Sequence, residues 1–429
     1  MITETKMISE TKMGKHMRAA FVSNYINHHQ IPFCNEMYQL LKGEFTFVQT
    51  EPMEAERVNM GWHEEDRPAY VRCWYEEPEY CRCLVMECDV VLFGGTDDES
   101  YIIERLKSGK PVIRLSERLY REGQWKAVSP RGLRKKYLDH TRYRKKQVYL
   151  LCNGAYVPSD FHIVRAYPGK MYCWGYFPET RKYDLDELLS GKGWKQGQEE
   201  TVPYLLWAAR MIGLKHPELA LETAKYLKEQ GCVFHMDMIG DGELRREMEA
   251  LRVSYGLEDQ VRFLGFQKPE EVRRCMEQAD IFLFTSDRLE GWGAVANEAM
   301  NSGCALVADH MIGAVPYLVT HGVNGFVYRD GCRKELFEQT YKLVKDRELC
   351  RSLGNNAYHT ITNVWNAENA AVKLLELMER LSRGENLDEH APVDGCFQGT
   401  LAPCSPAPVL SEARARRWMR KVLSMRREN

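Results

Sequence analysis

The stretch Arg288-Leu-Glu-Gly-Trp-Gly-Ala-Val-Ala-Asn-Glu-Ala-Met300 decides the fold of this chain. It lies between two short apolar runs, residues 281–285 and 305–308, whose length and composition predict buried strands. Its glycines mark a tight turn, and residues 294–301 then show the spacing of a helix. A strand, a glycine-rich turn and a helix form the repeating unit of an open parallel sheet, in which ligands bind at the carboxyl ends of the strands.

The same alternation of strand-like and helix-like segments runs through most of the chain and predicts an α/β architecture. A chain of 429 residues exceeds the roughly 250 residues that a single core supports. The sequence therefore predicts two Rossmann-like domains that face each other across a cleft. In the first half, strands are expected at residues 18–23, 45–49, 89–93, 111–115, 148–153 and 170–174, and a second series begins at 204–208.

Changes in composition predict the domain boundaries. Residues 1–16 form a polar repeat without an apolar face, and residues 383–408 are rich in Pro, Gly and Cys, so we expect both segments to lack regular structure. The other boundaries place an N-terminal domain at 17–178, a linker at 179–202, a C-terminal domain at 203–366, a closing helix at 367–382 and a basic amphipathic helix at 409–429.

Composition excludes several functional classes. Lys and Arg number 59 against 61 Asp and Glu, so the overall charge gives no reason to expect a nucleic-acid partner. No run reaches the ~18 consecutive apolar residues of a membrane span, and the first residues lack an apolar signal-peptide core. The closest group of cysteines, Cys73, Cys81, Cys83 and Cys88, lacks paired C-x-x-C spacing. We therefore expect reduced thiols, no bound metal and a cytoplasmic location.

The glycine-rich turn carries candidate ligand-binding groups. Free amides near Gly293 and Ala294, at the start of the helix, suit phosphate oxygens. Glu298 follows about one helical turn later, where its carboxylate could accept hydrogen bonds from a ribose. An isolated pair of acidic residues would usually be a loop acid and a solvated helix residue, but the surrounding pattern favours a binding site. The candidates in this segment are Glu290, Gly291, Trp292, Gly293, Ala294 and Glu298.

Two further loops follow strands of the same domain. Arg210 and Lys215 come after the strand at 204–208, and their cationic groups suit the neutralisation of a leaving nucleoside diphosphate. Gly240 and Gly242 come after the strand at 234–239, where glycine permits close approach of the backbone to a ligand. Taken alone, Arg210 and Lys215 would more often be surface charges.

Five motifs make the C-terminal half similar to the retaining GT-B glycosyltransferases of family four, and they follow one another along the chain in the order found in that family. The Glu-x7-Glu pair of that family corresponds to Glu290 and Glu298, and its Gly-Arg-Leu-x-x-x-Lys element to residues 209–215, with Ala209 in place of Gly. The resemblance covers residues 205–382 well and the N-terminal half loosely, and it implies the GT-B architecture. The other three motifs are Gly-x-Gly at 240–242, Val-Arg-Phe-Leu-Gly at 261–265, and Gly-Ala-Val-Pro at 313–316 with Asn-Gly-Phe at 324–326.

The resemblance implies a role for each matched residue. Arg210 and Lys215 would hold the diphosphate, Glu298 the ribose and Glu290 the donor sugar, while the backbone near Phe266 would contact the base. The family also implies front-face transfer with retention of the anomeric configuration, and neither a metal nor another cofactor. Catalysis would then consist mainly of stabilising charge on the leaving group.

The acceptor side is less defined, because the N-terminal half carries no complete motif. The family often has paired glycines after the first strand, where this chain has residues 24–29, which include His28 and His29. These histidines and Glu117, at another strand end, are candidates for contact with the acceptor. The alternatives are a packing or capping role for a histidine, and an ion pair between Glu117 and a neighbouring arginine.

Two basic segments each leave two interpretations open. Residues 409–427 combine seven Arg and Lys side chains with apolar ones and would form a helix that lies on an anionic membrane surface or docks on its own protein. Residues 131–146 carry eight Arg and Lys side chains with Tyr137 and Tyr143 between them. They favour either a membrane-facing or anionic-acceptor surface, or an ordinary solvated helix face.

These observations predict a glycosyltransferase that acts in polysaccharide or cell-surface glycan synthesis. The donor would be a nucleotide-sugar, by family frequency a UDP-sugar, and the acceptor a hydroxyl group of a glycan or lipid-linked glycan. Two rival hypotheses are a non-catalytic GT-B protein that binds nucleotide-sugar in a glycan assembly complex, and a GT-B sugar-nucleotide epimerase. The joint presence of Arg210, Lys215, Glu290 and Glu298 favours the transferase, because a binding protein does not need all four.

Overall fold

The computed structural model describes residues 17–53, 67–124, 127, 129–196, 200–385, 399–402 and 404. The predicted tail at 1–16 and the predicted basic helix at 409–429 lie outside these residues, as does most of the segment 383–408. The described part of the chain contains two parallel sheets with helical connections and one two-stranded antiparallel hairpin. No helix in these ranges combines the length and the apolar character that are needed to cross a bilayer.

The first domain is built on a seven-stranded parallel sheet in the order β3-β2-β1-β4-β5-β6-β7, with every residue of its first strand buried. Burial on both faces is typical of parallel sheets that carry helices on each side. Its strands are β1 (Ala19–Ser23), β2 (Phe45–Gln49), β3 (Val71–Cys73), β4 (Val90–Phe93), β5 (Val112–Ser116), β6 (Val148–Asn153) and β7 (Met171–Trp174), and its helices are α1 (Ile31–Leu40), α2 (Pro78–Glu87), α3 (Ile103–Ser108), α4 (Pro130–Asp139) and α5 (Val157–Ile163).

The predicted linker contains short regular elements. Helix α6 (Leu185–Ser190) begins after Asp184, whose side chain accepts a hydrogen bond from the amide of Glu187 at 3.0 Å. Strands β8 (Trp194–Gln196) and β9 (Glu200–Val202) then pair as an antiparallel hairpin. A helix of six residues is too short to show the apolar periodicity by which sequence analysis detects helices.

The second domain is built on a six-stranded parallel sheet in the order β12-β11-β10-β13-β14-β15. The residues of its central strands are buried, and helices connect the strands. Its strands are β10 (Tyr204–Ala208), β11 (His235–Ile239), β12 (Val261–Gly265), β13 (Ile281–Phe284), β14 (Ala305–Asp309) and β15 (Gly325–Tyr328), and its helices are α7 (Pro217–Glu229), α8 (Arg245–Ser254), α9 (Pro269–Gln278), α10 (Val295–Asn301), α11 (Val315–Leu318), α12 (Arg333–Lys345) and α13 (Arg347–Asn363).

The last helix, α14 (Ala367–Ser382), returns to the first domain and packs against α1. Its Leu374 belongs to the same buried cluster as Phe33 and Met37 of α1. Residues 399–402 and 404, within the segment that was expected to lack structure, run beside β7. There the amide of Leu401 donates to the carbonyl oxygen of Cys173 at 2.9 Å, and the side chain of Leu401 is buried.

The two domains touch through backbone at three glycines. A Cβ atom on Gly154 of the first domain would lie 3.0 Å from the carbonyl oxygen of Gly291 and 3.1 Å from Cα of Gly313, both in the second domain. The amide of Ala155 also donates to the carbonyl oxygen of Gly313 at 2.9 Å. Gly154 also has a φ of +113°, so both its backbone conformation and the close approach of the second domain favour glycine there.

We predict that Leu374→Ala destabilises the protein by about 2–5 kcal/mol, because it removes a fully buried side chain between α14 and α1. Val372→Ala on the same helix is the matched control, since Val372 is 49% exposed. Urea unfolding followed by circular dichroism measures both variants. Equal unfolding midpoints for the two variants would contradict the assigned packing.

Candidate functional site

A cleft of about 1090 Å³ lies at the carboxyl ends of the two sheets. Its wall in the second domain consists of residues from the loop after β10 and from the turn between β13 and α10. Its wall in the first domain includes residues from the loops after β1, β4, β5 and β7, from the end of β6, and from α4. Arg210, Lys215 and Glu290, which the sequence predicts at the ends of strands, all line this cleft.

The cationic groups of the second-domain wall differ in their partners. Lys215 forms an ion pair with Glu290, and both side chains are largely buried. Arg210 is exposed, and its guanidinium forms no ion pair with another residue in the described ranges. The cleft therefore offers one cation that is already balanced by a carboxylate and one that is available to an anionic ligand.

Gly240 and Gly242 lie behind Arg210 and outside the cleft lining. Gly240 has a φ of +127°, and a Cβ atom there would lie 1.8 Å from the carbonyl oxygen of Ala209. A Cβ atom on Gly242 would lie 2.5 Å from the carbonyl oxygen of Met211. These glycines therefore allow the β11 loop to support the backbone that carries Arg210, and direct contact with a ligand stays a prediction.

The turn before α10 contacts the first domain as well as the cleft. Trp292 is 1% exposed, and its ring occupies the space beside Gly175, where a Cβ atom would lie 2.3 Å from the indole. Its Nε1 donates to Asn297 at 2.9 Å. Gly291 faces Glu117, whose carboxylate oxygen would lie 2.5 Å from a Cβ atom. Gly293 and Ala294 line the cleft next to Glu290, as the sequence analysis predicts.

Two predicted donor-site residues lie outside the lining of this cleft. Glu298 is in α10, and burial raises the pKa of its carboxyl group, an effect that Arg273 and Arg181 oppose. Phe266 follows β12 and is 58% exposed. Their contacts with a ribose and a base stay predictions.

On the acceptor side, the structure places His29 and Glu117 in the cleft. The imidazole rings of His28 and His29 lie 3.8 Å apart, and His29 also stacks on Tyr176 with ring centroids 6.3 Å apart. Glu117 forms an ion pair with Arg121 and accepts a hydrogen bond from the Tyr176 hydroxyl at 2.9 Å. Glu117 thus forms an ion pair with a neighbouring arginine and also lies beside the turn between β13 and α10, here called the donor turn.

A pair of residues that was not predicted joins the loop after β10 to the turn between β13 and α10. His216 directly follows Lys215, and its Nε2 lies 3.5 Å from the carboxylate of Asp287. Asp287 in turn accepts a hydrogen bond from the amide of Leu289 at 2.8 Å and donates its own amide to Leu214 at 3.0 Å. The pair therefore links the loop of Lys215 to the loop of Glu290. Only the positions of these two residues could have indicated the pair: His216 is next to Lys215, and Asp287 is three residues before Glu290.

His216 is a charged group in this structure. Its hydrogen bonds to Asp287 and to Glu218 raise the pKa of the imidazole to about 10. The bond to Glu218 is 2.6 Å long. His216 also has a φ of +47°, a conformation that a non-glycine residue adopts only when its surroundings hold it there.

The family comparison agrees with this geometry. Residues 192–360 match the family described as "Glycosyl transferases group 1". The amylovoran biosynthesis glycosyltransferase AmsK of Erwinia amylovora is 30% identical over 183 residues, which are 42% of this chain and 45% of AmsK. The N-acetyl-alpha-D-glucosaminyl L-malate synthase of Bacillus anthracis is 29% identical over 30% of this chain and 33% of its own length. The chain thus spans about half, or less, of the curated relatives that it matches.

Solved structures give the same fold. HepE from Anabaena, crystallised with UDP, superposes with a TM-score of 0.62 at 16% identity, over 85% of this chain and all of HepE. The sucrose-phosphate synthase of Thermosynechococcus elongatus gives a TM-score of 0.62 at 14% identity, over 86% of this chain and all of that one. These findings confirm the predicted GT-B fold and the predicted resemblance of the C-terminal half to group 1 glycosyltransferases.

We predict that Gly240→Ala destabilises the protein by at least about 2 kcal/mol, because a methyl group would overlap the backbone at Ala209. Gly231→Ala is the matched control: Gly231 also has a positive φ, but nothing lies within 4 Å of its Cβ position, so about 1 kcal/mol is expected. Thermal unfolding of the two variants measures the difference. A smaller loss for Gly240→Ala than for Gly231→Ala would refute the supporting role of Gly240.

We predict that the stabilising effect of His216 depends on pH. Because the folded-state pKa is raised from 6.5 to about 10, the contribution is complete below pH 6.5 and is lost as the pH rises towards 10. The melting temperature of His216→Asn should therefore lie below that of the wild type at pH 6, and the gap should narrow by pH 10. Asparagine is chosen because it tolerates a positive φ. His359→Gln, at an exposed position of α13, is the control and should show no such trend. A constant gap for His216→Asn would contradict the ion pair.

Proposed function

We propose that this protein is a glycosyltransferase that moves a sugar from a nucleotide-sugar, with UDP-sugar favoured, to a hydroxyl group of a glycan or lipid-linked glycan. The observation that carries the proposal is the convergence of Arg210, Lys215 and Glu290 on one wall of the interdomain cleft. The names of relatives support a role in polysaccharide synthesis, since they include amylovoran and colanic acid biosynthesis glycosyltransferases. The UDP in the HepE crystals supports the choice of donor. We place the reaction in the cytoplasm, at the cytoplasmic face of a membrane.

The cleft volume fits a reaction of two substrates. Its volume of about 1090 Å³ slightly exceeds the roughly 300–1,000 Å³ of ordinary small-molecule pockets. The donor would lie against the second domain, beside Arg210 and the turn at Gly293. The acceptor would then lie against the first domain, near His29 and Glu117, with its hydroxyl group directed towards the donor sugar.

This site would lower the activation free energy mainly by stabilising the negative charge that develops on the leaving group. As the bond between the anomeric carbon and the diphosphate oxygen breaks, its electron pair stays with the diphosphate. Arg210 would stabilise that charge directly, since its guanidinium has no carboxylate partner among the described residues. Lys215 would add to this while Glu290 holds it in place and contacts the sugar.

We further propose front-face transfer with retention and without a metal, in line with the family resemblance. The acceptor oxygen would form its bond to the anomeric carbon on the face from which the diphosphate departs. The proton of the acceptor hydroxyl would pass to a phosphate oxygen of the leaving group. In this scheme the protein's own side chains position the substrates and balance charge, and none of them forms a covalent intermediate.

We predict that the protein binds UDP more tightly than GDP or ADP, and that Arg210→Ala and Lys215→Ala each weaken that binding at least tenfold. Loss of a hydrogen bond to a charged group costs roughly 1.5–3 kcal/mol, which corresponds to about ten- to a hundredfold. Arg246→Ala, at an exposed position of α8, is the matched control and should bind UDP like the wild type. Calorimetric titration with EDTA present measures each affinity.

Transfer is then tested with labelled UDP-sugars and a glycan acceptor panel. NMR of the product's anomeric proton distinguishes retention from inversion. Nucleotide binding without transfer would favour the non-catalytic assembly protein, and conversion of the donor to a second sugar nucleotide without acceptor would favour the epimerase. A folded protein that binds no nucleotide would contradict the donor site itself.

A further inference from the structure

Helix α4 directs apolar side chains towards solvent. Leu133, Tyr137 and Leu138 are 40%, 55% and 38% exposed, and no residue of this helix is fully buried. At 100° per residue, Lys136 and Asp139 lie on the opposite side of the helix, and both line the cleft. The usual arrangement of a surface helix is therefore reversed, because polar residues face the protein and apolar residues face outward.

The outward side of α4 is also positively charged. Arg131 and Arg134 are exposed between the apolar side chains. Asp139 is the one acidic residue of the helix, and its carboxylate lies 3.1 Å from the ammonium group of Lys135. The segment that follows adds further exposed basic side chains without an acidic one, namely Arg142, Arg144 and Lys145.

We propose that the outward face of α4 docks on an anionic membrane surface. A helix that presents apolar side chains among basic ones lies in the plane of the lipid headgroups, with the apolar groups inserted and the basic groups near lipid phosphates. Isolated exposed apolar residues are common on protein surfaces, but here three share one helix face with two arginines and no carboxylate.

Charge favours this occupant over two others, the terminal basic segment and a second copy of α4. Residues 409–427 carry seven Arg and Lys side chains, so they would be repelled by α4. A second copy of α4 would bring the same positive charges face to face. On a surface of anionic lipids, the apolar side chains can insert among the lipids and the basic side chains can pair with lipid phosphates.

Docking through α4 would place the cleft at the membrane surface, because the inward side of the same helix lines it. An acceptor that is carried by a lipid would then reach the cleft without leaving the bilayer. This last consequence rests on the proposed function, whereas the docking itself does not, since vesicle binding is measured without any substrate.

Flotation of the full-length protein with vesicles tests the proposal. Vesicles of phosphatidylcholine with phosphatidylglycerol are compared with vesicles of phosphatidylcholine alone, at 0.1 and 0.5 M NaCl. We expect binding to the anionic vesicles that falls at high salt. The triple variant Leu133→Ser, Tyr137→Ser, Leu138→Ser should bind at least tenfold more weakly, and so should Arg131→Ser with Arg134→Ser.

Two further variants separate α4 from other causes. Val233→Ser with Val253→Ser alters equally exposed apolar residues of the second domain and should bind vesicles like the wild type. Arg416→Ser with Arg417→Ser and Arg420→Ser alters the terminal basic segment and should leave an α4-dependent fraction of binding. All α4 substitutions are at exposed positions, and circular dichroism confirms that each variant is folded. Wild-type binding by the α4 variants, equal binding to neutral vesicles, or no binding by the wild type would each overturn the proposal.

Discussion

The close approach of the two domains at Gly154, Gly291 and Gly313 is the constraint on which the rest of the site depends. A Cβ atom on Gly154 of the first domain would lie 3.0 Å from the carbonyl oxygen of Gly291 and 3.1 Å from Cα of Gly313, so the two domains meet at a distance that favours glycine. That distance places Glu117 of the first domain beside the donor turn of the second. It also wedges Trp292 against Gly175. The cleft is thus defined by backbone contact, and its chemistry is supplied by side chains on both sides of that contact.

The cations around the donor turn differ in whether they are paired with a carboxylate. His216 and Asp287 balance each other and tie two loops together, Lys215 is balanced by Glu290, and Arg210 remains exposed in the cleft. Each cation that holds the loops in position already has an anionic partner. An incoming diphosphate would therefore meet one available guanidinium on a rigid frame, with little rearrangement of the frame itself.

The parts of the fold that sequence analysis predicted are those with a strong local pattern. The strands at 45–49, 148–153 and 204–208 and the helix at 367–382 have the predicted bounds. Buried strands show a short continuous apolar run, and a long amphipathic helix shows a periodic one. Strand β3 has three residues and α6 has six, so neither could show one. For the segment of α4 a solvated helix face was one of two open interpretations, because its apolar residues are separated by basic ones.

In the candidate site, too, some features could be predicted from local patterns and others could not. Arg210, Lys215 and Glu290 were found because a motif places each at a strand end, and parallel strands bring those ends to one edge. The support that Gly240 gives to Ala209 and the link between His216 and Asp287 depend on how two loops pack. Loop packing is a tertiary contact, and nothing in the spacing of residues along one loop records the position of its neighbour.

The return of α14 to the first domain has a consequence for synthesis of the chain on the ribosome. The buried side of α1 is completed by a helix that begins at Ala367, long after α1 ends at Leu40. At about 5–20 residues per second, the nascent first domain waits on the order of tens of seconds for that helix. During this interval Phe33 and Met37 lack their final cover, so the unfinished first domain exposes apolar surface until α14 has been synthesised.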